Sequence, residues 1–194
     1  MGKTRLEAFS DGVLAIIITI MVLELKVPHG DDLATLLKLW PIFFSYILSF
    51  LYIGIYWNNH HHLMHTVKRV TGGILWGNLH LLFWLSLVPF STGWMGENYF
   101  GQLPVFVYAL NLFLAAIAYT ILVMTIKAAH GAGSEIDRAI GSDSKGKISL
   151  AGYVAAMAGS FISPYVGLFF TVIVALIWLV PDKRIERVIA KSAD

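Results

Sequence analysis

A few polar residues set into long apolar runs are the positions where chemistry could begin. Asp11 stands near the start of the first run, and no charged residue follows it until Glu24. An ionisable group inside a membrane segment costs several kcal/mol unless it is paired or faces water, so Asp11 marks a candidate ion pathway. It can equally be an interfacial acid held by the positive end of the helix dipole. Complementary groups occur at matching depth: His60 and His61 close the second apolar run, and Asn78 lies early in the third. A hub in which Asp11 bonds to one of these three is the expectation.

The run His60-His61-His62-x-x-His65 raises the question of a metal, because His61 and His65 share a helix face and imidazole is a good zinc ligand. The chain has no cysteine, and no acid lies within the cluster. No metal site is therefore expected, and the histidines are read as interfacial, network-forming groups. Their titration near neutrality leaves a pH-sensing role open.

Two apolar stripes run along the first segment. Ile16, Ile20 and Leu23 fall at i, i+4 and i+7, with Gly12 and Thr19 beside them. Leu14, Ile18, Met21 and Leu25 make the other. Periodicity alone does not say which faces a pathway.

These residues need a scaffold, and the composition says what kind. Of 194 residues, 57% are hydrophobic and 13% charged, with a mean hydropathy of +0.71. A soluble domain keeps about a quarter of its residues charged. The expected class is an all-α integral membrane protein. Runs of about twenty apolar residues place six spans near 8–25, 36–57, 73–92, 103–126, 148–162 and 165–180. The last two are divided at Ser163-Pro164, and the fifth is rich in small residues that permit close helix approach. Trp40, Tyr56, Trp57, Trp76 and Trp94 stand near span ends, as in an interfacial aromatic belt.

Six spans put both termini on one side. The connections and tails on that side hold Lys3, Arg5, Lys68, Arg69, Lys127, Arg138, Lys145, Lys147, Lys183, Arg184, Arg187 and Lys191. The other side holds only Lys26 and Lys38, so the termini are expected in the cytoplasm of a cell (inner) membrane protein. The basic start of the first segment is followed by Glu24-Leu25-Lys26-Val27-Pro28 rather than a small-x-small cleavage site, so the segment is read as retained.

No enzyme signature is present: neither His-Glu-x-x-His, nor Gly-x-Ser-x-Gly, nor a Walker loop occurs. The Thr-Val-Gly-Tyr-Gly potassium filter is also missing, Tyr165-Val166-Gly167 being a poor remnant.

Taken together, these residues resemble a family. Arg5-x-x-x-Phe9-Ser10-Asp11-Gly12 resembles the first-helix signature of the transmembrane-protein-175 family, the endolysosomal potassium channels and their prokaryotic relatives. Tyr56-Trp57-x-x-His60-His61, Asn78, Pro89-Phe90-Ser91-Thr92 and Pro181-Asp182-x-Arg184-Ile185 look like the family pattern too. One copy of Phe-Ser-Asp is present, as in the single-repeat prokaryotic form.

The resemblance implies a homotetramer in the bilayer, with the first helix of each subunit lining a central pore. The whole chain, 1–194, is then one six-helix subunit. By the same resemblance Ile16, Ile20 and Leu23 form the pore constriction, and Thr19 is the pore-adjacent threonine. Arg5, Phe9, Ser10, Asp11, His60, His61 and Asn78 form a structural or gating polar network. The implied function is a potassium channel, moderately selective over sodium, with permeant potassium ions as ligand, no cofactor and no nucleic-acid partner. Two other classes stay open: a proton-coupled secondary transporter using Asp11 and the histidine cluster, and a metal-dependent membrane enzyme.

Overall fold

A computed structural model describes residues 2–131, 134 and 144–179, and its described elements are all helical. The motif from Pro181 to Ile185, the end of the last apolar run, Arg138 and the basic tail lie outside the described residues.

Helix α1 spans Lys3–Leu23. It begins a turn or more before the apolar run, because Thr4 to Glu7 continue the helix although they do not look like membrane. At 1.5 Å per residue its 21 residues reach about 31 Å, the thickness of a hydrocarbon core. A short helix follows, α2 (Leu33–Leu37), started by Asp32, whose carboxylate accepts the Thr35 amide at 2.6 Å. That bond holds the Asp32 carboxyl below its ordinary range. Nearby, the ammonium of Lys26 donates to the Glu97 carboxylate, which raises the Lys26 pKa and joins the loop after α1 to the far end of α5 (Val88–Glu97).

Helix α3 (Trp40–His65) is longer than the second apolar run. The residues from Asn58 to His65, which read as a polar connection, are its last two turns. The histidines are therefore helical, with fixed faces. The third apolar run is two helices rather than one, α4 (Gly72–Ser86) and α5. They meet at Leu87 because Pro89 has no N–H to continue the ladder. Asn111 covers the break: in the amide orientation its neighbours require, it donates to the Trp84 carbonyl at 2.9 Å and accepts from the Val88 N–H at 3.2 Å.

Helix α6 (Gln102–His130) packs against α4, α5, α7 (Ser144–Ser160) and α8 (Pro164–Leu179), so its Ala109, Leu112, Ala115, Ala118 and Leu122 are fully buried. Helices α7 and α8 form a hairpin around the Ser163-Pro164 break. A Cβ at Gly159 would sit 2.7 Å from a Val166 methyl, so only glycine allows that approach. Glycine is needed likewise at Gly96, where a Cβ would meet the Ile42 backbone at 2.9 Å.

Among the described residues, four stretches are long and apolar enough to cross a membrane: α1, α3, the α4–α5 pair and α6. Helix α8 is apolar but shorter. Helix α1 packs on α3, α4 and α5, and it stands at the edge of the subunit. Only 28% of its span is buried inside the subunit, against 44% for each of the other three.

A candidate permeation face and the polar contacts behind it

The two stripes of α1 are separated by packing. Leu6, Ser10, Leu14, Ile17 and Met21 recur every three or four residues and are at most 3% exposed, because they meet α3, α4 and α5. The stripe containing Leu14 and Met21, with Ile18 and Leu25 partly buried, is therefore the inward one. Opposite it stand Ile16, Ile20 and Leu23, exposed by 58%, 44% and 76%. Arg5, Phe9 and Gly12 continue this outward row towards the N-terminus, all exposed. Thr19 lies beside it, its hydroxyl donating to the carbonyls of Ile16 at 2.9 Å and Ala15 at 3.1 Å. The outward face is thus apolar along its length and charged only near the N-terminal end.

Behind α1 a buried polar line crosses three helices. The Asn78 amide donates to Ser10 Oγ at 2.9 Å, and His60 Nε2 donates to Asn78 Oδ1 at 2.7 Å. Ser10 in turn donates to the Leu6 carbonyl at 2.9 Å. All three side chains are at most 2% exposed, and none of their fully buried polar atoms lacks a partner. In a low-dielectric setting such a satisfied line fixes the register of α1 against α3 and α4.

Asp11 does not join that line, contrary to the expected direct bond with His60, His61 or Asn78. One residue further along a helix is about 100° further around it, so Asp11 faces outward where Ser10 faces in. Its carboxylate accepts the Trp57 indole N–H at 3.0 Å. The Trp57 ring stacks on His61 with centroids 6.0 Å apart, and His61 Nε2 lies 3.1 Å from His65 Nε2. Lys3 Nζ donates to the His65 carbonyl at 3.2 Å. A second, exposed route therefore ties the start of α1 to the end of α3.

Sequence reasoning did not find Trp57 as the partner of Asp11, although its place one turn before His61 on α3 was the available signal. Nor did it find the buried set in which Ser49 Oγ meets Thr92 Oγ1 at 2.7 Å and Tyr108 Oη at 2.9 Å. The Pro89-Phe90-Ser91-Thr92 motif thus sits at the helix break, with Ser91 and Thr92 buried and Phe90 exposed. Among the described residues, no group of three or more His, Cys, Asp or Glu is placed to hold a metal ion.

Residues 5–89 match the family described as endosomal/lysosomal potassium channel TMEM175, a stretch that contains every residue of both faces of α1 described above except Lys3. A potassium channel of Chryseobacterium sp. (strain P1-3) is 59% identical over 96% of this chain and 97% of its own length. One from Streptomyces collinus is 37% identical over 61% of each chain. The crystal structure of a lysosomal potassium-selective channel TMEM175 homolog from Chamaesiphon minutus superposes with a TM-score of 0.82 at 31% identity, covering 93% of this chain and 97% of that one. With one relative this similar over nearly its full length and a matching solved fold, the chain belongs to the TMEM175 channel family.

Proposed function

We propose that the chain is one subunit of a potassium channel in which the outward row of α1 forms the narrow part of the pore. The observation that carries this reading is the exposure of Ile16, Ile20 and Leu23 on the span least buried by its own subunit. A single apolar helix encloses no pathway, so several copies meet around an axis, and closed cyclic symmetry is the usual arrangement for identical subunits. The family resemblance sets the number at four. Residues 1–194 then act as one unit of six spans, with α7 and α8 as the short last pair.

The row from Ile16 to Leu23 rises about 10 Å. Alkyl groups cannot replace the water around an ion, so passage through such a ring costs hydration energy. Potassium, the more weakly hydrated cation, loses less than sodium. Selectivity is moderate because no carbonyl ring compensates the loss, and dewetting of the same ring closes the path. Ser10, Asn78 and His60 hold α1 in register behind the ring, and Asp11 with Trp57 and His61 anchors its start. Arg5 and Phe9 stand on the outward face at the pore entrance. The excess of Lys and Arg on the side of the termini supports a cytoplasmic entrance.

Purified protein in a planar bilayer, with potassium on one side and sodium on the other, tests the reading. A reversal potential displaced towards the potassium equilibrium value, unaffected by a proton gradient, is expected. Potassium driven against its own gradient by a proton gradient would make the protein a coupled transporter instead.

A further inference from the structure

Away from α1, a half-open cavity lies between α3, α6, α7 and α8, near the end where α7 begins and α8 finishes. Its volume, counted at the centres of water-sized spheres, is about 50 Å³. One water needs about 10–15 Å³ on that measure, so there is room for several waters or one compact organic group. Five of its walls are aromatic: Tyr52, Tyr56, Tyr119, Tyr153 and Trp178. None of its lining residues is acidic or basic.

The rings are held in place by their polar tips, which bond to fixed groups. Tyr52 Oη donates to the Thr171 carbonyl at 2.6 Å, and Tyr119 Oη to the Asn59 carbonyl at 3.3 Å. The Trp178 indole N–H donates to Ser149 Oγ at 2.7 Å. Tyr52 and Tyr153 stand 6.3 Å apart at 41°, and Tyr56 and Tyr119 stand 6.3 Å apart at 67°. Tilted rings around a small space present π faces, whose negative quadrupole repels anions and attracts cations. The face of Trp178 already holds a cation, the Lys145 ammonium at 5.7 Å from its centroid.

We propose that this cavity binds a methylated ammonium group, with Lys145 as the chain's own competitor at its edge. Inorganic cations fit it poorly, because the lining carries no carboxylate and the Tyr52 and Tyr119 hydroxyls are committed to main-chain carbonyls, leaving few oxygens to replace their water. A quaternary ammonium is bulky and weakly hydrated, and it matches an aromatic cage. Such a group reaches the cavity either as a free solute or as a lipid headgroup. Because its walls come from four helices, an occupant couples the α7–α8 hairpin to α3 and α6.

Equilibrium dialysis of the purified full-length protein with radiolabelled choline tests the site, with 3,3-dimethylbutan-1-ol as the neutral competitor of the same shape. One saturable choline site per chain is expected, with the neutral isostere weaker by about tenfold. Lys145→Met should tighten choline binding several-fold, Trp178→Phe should weaken it partly, and Trp178→Leu should abolish it. If the source is a lipid, dihexanoyl phosphatidylcholine changes the tryptophan fluorescence of wild type but not of Trp178→Phe, while free choline and dihexanoyl phosphatidylglycerol have no effect. Equal binding of choline and its neutral isostere would overturn the proposal. So would no response to choline or to phosphatidylcholine in wild-type protein and in Lys145→Met.

Discussion

At the scale of single residues, the division of labour between neighbours is the main finding. Ser10 and Asp11 are adjacent, yet Ser10 is sealed against Asn78 and Asp11 stands outside with Trp57. Charge made Asp11 conspicuous in the sequence, whereas a serine among apolar neighbours gave little sign of its role. The sign that existed was its register: Ser10 sits in the row Leu6, Leu14, Ile17 and Met21, which packing buries. The consequence for stability differs sharply between the two contacts. Asn78→Ala strands the buried His60 N–H and removes the donor to Ser10 Oγ, whose own hydroxyl stays on the Leu6 carbonyl, which should cost about 1–3 kcal/mol. Asp11→Asn keeps an acceptor for the Trp57 indole at an exposed position and should change stability by about 0.5 kcal/mol or less. Urea or thermal unfolding in detergent, compared between the two variants, checks the contrast. A larger loss from Asp11→Asn would mean that the carboxylate is the structural hub after all.

At the scale of elements, the apolar runs located the long helices well and their ends badly. Hydropathy reports which residues a bilayer tolerates, while a helix continues wherever its backbone can be hydrogen bonded. Helix α1 therefore extends through Thr4 to Glu7, and α3 carries Asn58 to His65 beyond its apolar part. The break between α4 and α5 was written in Pro89, but a proline is also tolerated inside a span. What makes this one a true break with a stable geometry is Asn111, which is remote in sequence. Helix α2 depends on a single cap. Its Asp32 carboxyl is held below the usual range by the Thr35 N–H, so the folded form binds the proton less readily than the unfolded one. The cap is then fully present above the ordinary carboxylate pKa and is lost as pH falls through the lowered value. The protection of the Thr35 amide, taken as its exchange relative to the unprotected rate at the same pH, should fall only on that acid side, and Asp32→Asn should remove this pH dependence of the protection. A protection factor that instead falls between pH 6 and 8 would assign the protection to another group.

At the scale of the whole molecule, α1 is the least covered of the long apolar spans among the described residues. The core around α6 is closed, with alanines and leucines fully buried, while α1 leaves a row of large aliphatic side chains uncovered. In the sequence, two stripes of α1 were equally apolar. Only packing against α3, α4 and α5 distinguishes them, which is why the choice could not be read from spacing. The chain contains no cysteine, so disulfides can report the symmetry axis cleanly. Ile20→Cys should crosslink between subunits on mild oxidation, whereas Ile18→Cys, turned towards its own subunit, should crosslink poorly. One cysteine per chain can join only two chains, so the disulfide species should stop at a dimer, whereas a bifunctional amine-reactive reagent should give a ladder ending at four chains. A ladder that ends at two would remove the four-fold pore.

The most direct test of the central claim is the reversal potential of Ile20→Asn beside wild type, recorded in planar bilayers under potassium against sodium. An amide in place of an aliphatic group wets the ring and supplies a partner for hydrated ions. A larger current and a reversal potential moved towards zero are expected, with Leu14→Asn failing through instability instead. An active Ile20→Asn channel with unchanged current and unchanged potassium preference would contradict the claim, and the pore would have to lie on another helix.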